Sequence, residues 1–520
     1  MPPVWRRPAV VAFALGLLGV GFRVWLTARD APLTNSDEAT IGLAALHIWR
    51  GEDFPVYFYG QHYMGTIEAY LAAPFVGLLG PTTLALRLPT LALFALFLPL
   101  MYALVRRVYS PWMATATVGL LALGSDRIVK NQLIAGGGYP ETSPMMVALL
   151  LGVLAVSRSE KPRPWITGGI GLLGGLIIWN HLLPLPYLAG AALLLIVFAR
   201  RQLVSRAGWT LAGGLLLGAS PLIWHDLHNT FSKSFLAVFW HLQTTGTDPS
   251  ASDRLYGGGL LGVPLGTGLC APSYCAGWQL WWGPVYAALL VIAAVLAYRS
   301  PRTPESGMRL ALAVAALITV VSYARNSSAG DSPIESARYL SCLLISTPAW
   351  LEPLWRAIAA PVSLSGEPSG VRSVARPNWQ RLAAGVPLAA GVAMAVYATA
   401  ALAVHVPTYT DAAAGQPKVI AALAAHDQTR LYADYWTCNW ISYQTGEERI
   451  CAVVGDDLTE GLNRYHPYWD EVGAAREVTY LAPIGSPLDA TLAAAFPDRP
   501  METAANYHLY LPTRPLPDTR

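Results

Sequence analysis

Eleven apolar runs, at about 8–26, 83–104, 111–124, 141–157, 165–179, 183–199, 207–223, 279–298, 310–324, 337–352 and 384–404, leave this chain few folds to choose from. A helix crossing the hydrocarbon core of a bilayer needs roughly 20 mainly apolar residues. Inside lipid the backbone must satisfy its own hydrogen bonds, which a helix does within one segment. The runs therefore predict an all-α polytopic membrane bundle of about 11 transmembrane helices. Composition agrees, since 54% of the 520 residues are hydrophobic and only 13% charged, where a soluble domain carries about a quarter charged residues.

The basic residues give this bundle an orientation. Arg6/Arg7, Arg106/Arg107, Arg158/Lys161/Arg163, Arg200/Arg201/Arg206, Arg299/Arg302/Arg309 and Arg356/Arg372/Arg376/Arg381 flank alternate ends of successive runs. Positively charged loops resist translocation, so the pattern predicts a multi-pass cell-membrane protein with a cytoplasmic N-terminus. Nearly all carboxylates then lie outside, and the net charge of +3 hides a strong polarity across the membrane. Residues 1–26 read as an uncleaved first helix, because the run continues to Trp25 without a small-residue cleavage site. No nucleic-acid partner is expected.

Three segments are too polar for spans and too long for turns. Within a transmembrane core at 1–352, the first outer loop, 27–82, holds two stretches, Asp37 to Trp49 and Thr66 to Leu79, that read as interfacial helices. Trp49, Tyr57, Phe58 and Tyr59 suit the headgroup belt. A second outer loop, 224–278, reads as an ordered lid. A cytoplasmic linker at 353–383 and a final span at 384–404 lead to an extracytoplasmic α/β domain at 405–520. There the expected strands are Arg430 to Tyr435, Arg449 to Val454 and Val478 to Ala482, with helices at Ala413 to His426 and Thr437 to Thr445. The outer pairs Cys270/Cys275 and Cys438/Cys451 fit disulfides in an oxidising compartment better than zinc, for which the ligand spacing is wrong. Cys342 stands alone in a span.

Asp37 and Glu38 are the most informative residues. Ionisable groups held close to the bilayer are costly and are functional candidates by default. Helix capping by Asn35-Ser-Asp-Glu38 accounts for one acidic residue, but not for the order around it: Asp37-Glu-Ala, Gly51-Glu-Asp-Phe-Pro55, Tyr59-Gly-Gln-His-Tyr63, Glu68, Pro74 and Leu86-Arg-Leu-Pro89. This order resembles the C-type multi-spanning glycosyltransferases, in the branch of the protein O-mannosyltransferases and aminoarabinose transferases. The resemblance extends in plan over residues 1 to about 350, with its specific motifs in the first hundred.

The resemblance implies transfer of a sugar from a polyprenyl-phosphate-linked donor to an extracytoplasmic glycan, lipid or protein acceptor. Asp37 would be the catalytic base and Glu38 would orient it or the acceptor. His62 stands where relatives carry a basic residue followed by Pro-Pro, and the prolines are absent. Arg87 and Arg338 match arginines that would contact the lipid phosphate, and Glu141 matches a second acidic residue. His181, in the turn Trp179-Asn-His181, is a further substrate-binding candidate. No cofactor is expected. Asp37, Glu38 and Glu141 would be the hard ligands if a divalent cation bound. Two other readings stay open: a transporter or flippase of a lipid or sugar, although no internal repeat supports it, and a lipid-polysaccharide polymerase or ligase.

Overall fold

The computed structural model describes residues 7–244, 247–270, 275–358, 378–497 and 500–513, and the protein is 71% helical. Its first nine helices are α1 (Pro8–Thr27), α2 (Ser36–Arg50), α3 (Ile67–Leu79), α4 (Thr83–Val108), α5 (Pro111–Ala122), α6 (Asp126–Leu133), α7 (Tyr139–Ser157), α8 (Pro164–Asn180) and α9 (Leu185–Phe198). Local chemistry sets several of their starts. The side chains of Asn35, Thr82, Ser110 and Ser125 each accept a backbone N–H from the first turn of α2, α4, α5 and α6.

Among the described residues, six helices are long and apolar enough to cross a membrane: α1, α4, α7, Gly277–Tyr298, Pro304–Arg325 and a stretch within Leu382–Ala425. The run at 207–223 is a pair, Arg206–Gly218 and Ser220–His228, bent by 55°. This falls short of eleven long helices for a physical reason. At 1.5 Å per residue, a helix the length of α5 or α9 reaches only about 20 Å, short of the roughly 30 Å hydrocarbon core. The run at 337–352 is likewise broken, into a 3-10 segment Ala337–Ser346 and a helix Thr347–Ile358.

One large apolar core joins α4, α5, α7, α8 and α9 to the helices at 282–298, 304–325 and 347–358. A second core is shared by α2, α3 and the C-terminal region. That region carries a five-stranded sheet of β1 (Arg430–Ala433), β2 (Ile450–Val453), β3 (Val478–Pro483), β4 (Met501–Ala504) and β5 (Tyr507–Thr513), in the order β2-β1-β3-β5-β4. β1 lies parallel to β2 and β3, while β5 runs antiparallel to β3 and β4. Both expected disulfides are present. Cys438–Cys451 ties the Tyr435–Gln444 helix to β2, and Cys270–Cys275 closes a short loop.

Several expectations need correction. α2 does not lie open on a surface, because Glu38 to His47 are buried against α3 and the Tyr435–Gln444 helix. Of the proposed headgroup aromatics only Trp49 is exposed. Tyr57 packs on His225 and Phe235, Phe58 lies under Arg464, and Tyr59 is hydrogen-bonded to His47 and Asp53. The described residues within 224–278 are largely in short helices. The expected linker is helical at 353–358 and 378–383, and its residues 359–377, with Arg372 and Arg376, lie outside the described residues, as does Arg6.

Candidate active site

Capping of α2 is done by Asn35, whose Oδ1 accepts the Glu38 N–H at 2.9 Å. Asp37 is therefore free for other work at the positive end of a helix, where an anion is favoured. It lines a cavity of about 570 Å³. The Tyr435 hydroxyl donates to Asp37 Oδ1. Two guanidiniums flank the carboxylate, with Arg464 Nη2 3.6 Å from Oδ1 and Arg338 Nη1 3.9 Å from Oδ2. Burial and the adjacent Asp37 charge hold the Tyr435 phenol above its usual value, so it stays a donor.

Glu38 and Arg87 do not reach the cavity. Arg87 Nε donates to Glu38 Oε1 and Nη2 to Oε2, both at 2.8 Å, and both side chains are fully buried. This bidentate pair corrects two expectations. Arg87 is buried on α4 with Glu38, away from any phosphate that could enter the cavity, and Glu38 is bound to Arg87 instead of facing an acceptor. The pair locks the start of α2 to α4.

The cavity lining mixes polar and apolar side chains: Asp37, Gln61, Tyr63, His181, Arg338 and Arg464 on the one hand, and Leu182, Leu185, Pro186, Ala189, Phe239 and Ile318 on the other. His181 is 92% buried by its 8% exposure, and its Nδ1 accepts the Leu183 N–H at 3.3 Å. Burial, then the nearby Arg338 charge, lowers it to about 4. The imidazole is therefore neutral with its proton on Nε2, and Nε2 has no hydrogen-bond partner. Arg338 Nε is also buried without a partner. Both of these atoms are themselves buried, although their residues line the cavity. Burial pushes the Tyr63 phenol up to about 12, which keeps it protonated.

The remaining candidates sit apart from the cavity. His62 Nδ1 meets His225 Nε2 at 3.2 Å, and burial lowers the His62 imidazole. Glu141 is buried beside Glu68. Glu68 accepts the N–H groups of Gly137 and Gly138 at 3.0 and 3.1 Å, and both glycines have positive φ. Glu68 therefore shapes the turn that brings Gly136 beside Asp37. The three carboxylates considered as metal ligands do not converge: Asp37 meets Tyr435, Glu38 meets Arg87, and Glu141 lies buried beside Glu68. Among the described residues a ligand-like triplet forms instead at His47, Glu52 and Glu447, where His47 and Arg50 already bind Glu447.

Tyr435, which binds Asp37, and two cavity residues, Arg464 and Gln61, were not singled out from the sequence. The first two lie in the aromatic-rich segments Tyr432-Ala-Asp-Tyr-Trp-Thr437 and Asn463-Arg-Tyr-His-Pro-Tyr468. Those segments suit acceptor or sugar recognition, but composition alone does not bring them to Asp37.

No family model and no curated protein matches the chain. Solved structures do. ArnT from Cupriavidus metallidurans bound to undecaprenyl phosphate aligns over 96% of this chain and 96% of its own, with a TM-score of 0.60 at 14% identity. The same protein in the apo state aligns over 91% and 92%, with a TM-score of 0.54 at 14% identity. The archaeal oligosaccharyltransferase AglB from Archaeoglobus fulgidus, in complex with an inhibitory peptide and a dolichol-phosphate, aligns over 91% of this chain and 69% of its own, with a TM-score of 0.50 at 12% identity. The fold of this chain is the fold of these C-type membrane glycosyltransferases.

Proposed function

We propose that this protein is a membrane glycosyltransferase that moves a sugar from a polyprenyl phosphate to an extracytoplasmic glycan, lipid or protein acceptor, with inversion and with Asp37 as general base. The observation that carries this reading is the cavity itself, which one carboxylate, two arginines and a neutral histidine line together with apolar side chains. Such a pocket suits a lipid phosphate, with its charge against the arginines and its chain against the apolar side chains. The fold is one in which ArnT binds undecaprenyl phosphate.

In the reaction the acceptor hydroxyl donates its hydrogen bond to Asp37 and gives up its proton as its oxygen attacks the anomeric carbon. The bond from that carbon to the phosphate oxygen breaks on the opposite face. The leaving polyprenyl phosphate carries the developing charge, which Arg338 and His181, both lining the cavity, receive. Donors preset for charge that appears only in the transition state lower the barrier more than donors that must reorganise. The substrate-binding role thus falls to His181 and Arg338, while Glu38, Arg87, Glu141 and His62 support the walls.

With the shorter apolar helices counted as passes in a locally thinned bilayer, the basic clusters fall on the cytoplasmic side, and the cavity and C-terminal domain lie outside. The transfer proceeds without a metal. Reconstitution with undecaprenyl-phosphate mannose, followed by a panel of other undecaprenyl-phosphate hexoses and pentoses, tests the reading. Glycosidic product with stoichiometric undecaprenyl phosphate, undiminished by exhaustive chelation, is expected. Movement of the lipid or sugar across the bilayer with no glycosidic bond formed would make the protein a transporter. Recovery of lost activity by Mg²⁺ or Mn²⁺ would overturn the metal-free step.

A further inference from the structure

The acidic base of the proposed reaction is not held by the membrane bundle alone. Tyr435 is the first residue of the Tyr435–Gln444 helix, whose start is fixed by Asp434: its carboxylate accepts the Trp436 N–H at 2.8 Å and the Thr437 hydroxyl at 2.6 Å. The Tyr435 hydroxyl donates to Asp37 Oδ1 and accepts from Arg464 Nε at 3.0 Å. Arg464 lies over the rings of Phe58 and Tyr435, 5.1 and 5.3 Å from their centroids. With its amide turned to accept, Gln61 takes bonds from Arg464 Nη1 and Nη2 at 2.6 and 3.1 Å. A continuous chain of donors and acceptors therefore runs Gln61, Arg464, Tyr435, Asp37.

We infer that Tyr435 and Arg464 are positioning residues for the transfer, so that the C-terminal domain completes the active site, an inference that rests on reading Asp37 as the base. A carboxylate turns readily about its last torsion, which is broad and two-fold. A phenol on Oδ1 stops that rotation and leaves Oδ2 as the oxygen that meets the acceptor. Arg464 in turn fixes the phenol and places positive charge beside the oxygen that is not reacting.

The domain is docked firmly enough to serve as this reference. Asn439 Nδ2 donates to Ser36 Oγ at 2.6 Å, the Tyr443 hydroxyl donates to the Thr82 carbonyl at 3.0 Å, and His47 Nε2 meets Glu447 at 2.8 Å. Gly42 lies so close to the Tyr443 ring that a Cβ there would sit 2.6 Å from it. The residue before Asp37, Ser36, donates to the carbonyl of Tyr435 itself. The base and its positioner are therefore tied together through backbone as well as side chain.

The test compares purified wild type with Tyr435→Phe, Arg464→Gln, Arg464→Lys and Asp37→Asn, on the undecaprenyl-phosphate sugar that the wild type turns over. Tyr435→Phe removes one oxygen and keeps the ring. It should lower kcat about 10–100-fold, within the penalty for displacing a reacting group by about 1 Å, with the donor KM within about two-fold of wild type. Arg464→Gln should do the same, and Arg464→Lys should recover part of the loss. The Tyr435→Phe/Arg464→Gln double variant should fall less than the product of the singles, because both act through one oxygen. A merely structural role would reduce the amount of folded protein and leave kcat per folded molecule and its charge rescue unmoved. If Asp37→Asn is inactive while Tyr435→Phe and Arg464→Gln keep wild-type kcat, the inference fails and the base assignment stands. If Asp37→Asn is active, the base assignment fails and takes the inference with it.

Discussion

Arg87 separates a structural account of this site from the account that motif position alone would give. Its guanidinium makes two 2.8 Å bonds to Glu38, and both side chains are fully enclosed. Only Nη1 lacks a partner, and it too is buried. Arg87→Ala leaves the Glu38 carboxylate charged, dry and unpaired, and breaking a buried pair in this way costs about 3–5 kcal/mol. That is a large share of the roughly 5–15 kcal/mol that stabilises a typical fold. Removing both charges together, as Glu38→Leu/Arg87→Met, leaves no orphan, and such replacements are neutral or stabilising by about 1–4 kcal/mol. The expected result in detergent micelles is a much lower melting midpoint for Arg87→Ala and Glu38→Leu, near-complete recovery in the double variant, and undecaprenyl phosphate binding retained wherever protein is folded. If Arg87→Ala melts like wild type and loses affinity for undecaprenyl phosphate, the guanidinium serves the lipid and the buried-pair argument is wrong.

Three other expectations follow from the same geometry. Burial raises the Glu68 carboxyl, so its contribution to stability is fully present below the ordinary glutamate value of about 4.3 and is lost as pH rises through the elevated one. Glu68→Gln should flatten the melting midpoint over that window, and an unchanged slope would contradict this. Cys438→Ser opens the disulfide to Cys451, which closes a short loop; such bonds contribute about 2–4 kcal/mol. Faster proteolysis of the C-terminal domain is expected, and unchanged proteolysis would show that the bond carries no stability there. Arg338→Gln removes charge-assisted bonds of about 1.5–3 kcal/mol each. Calorimetry should show undecaprenyl phosphate binding weakened about 10–100-fold, and unchanged affinity would remove Arg338 from the phosphate site.

The parts that were legible in the sequence are those written in local pattern. Apolar runs gave the helical membrane character, Asn35 to Glu38 gave the start of α2, and alternating elements gave β1, β2 and β3. β4 and β5 escaped because β4 has one fully buried residue in four, and the turn between them uses Ala505 at φ 53° instead of a glycine. The eleven runs exceed the six long helices among the described residues because apolar composition does not reveal a bend at Ala219 or a 3-10 stretch at Ala337–Ser346. At the site, Asp37, His181 and Arg338 line the cavity as their loop positions suggest. The pairing of Glu38 with Arg87, and the arrival of Tyr435 and Arg464 at Asp37, depend on long-range packing. Only the shared core of α2, α3 and the C-terminal domain brings those residues together.

The central claim, that Asp37 removes the acceptor's proton, is tested most directly by turnover of Asp37→Asn. The substitution keeps the side chain's size and its hydrogen bond from Tyr435, and α2 keeps its Asn35 cap. Folding and undecaprenyl phosphate binding should survive, because Arg338 and His181 are untouched. Turnover should fall about 10²–10⁴-fold, the scale expected on losing a general base. Near-normal transfer by folded Asp37→Asn protein would contradict the account.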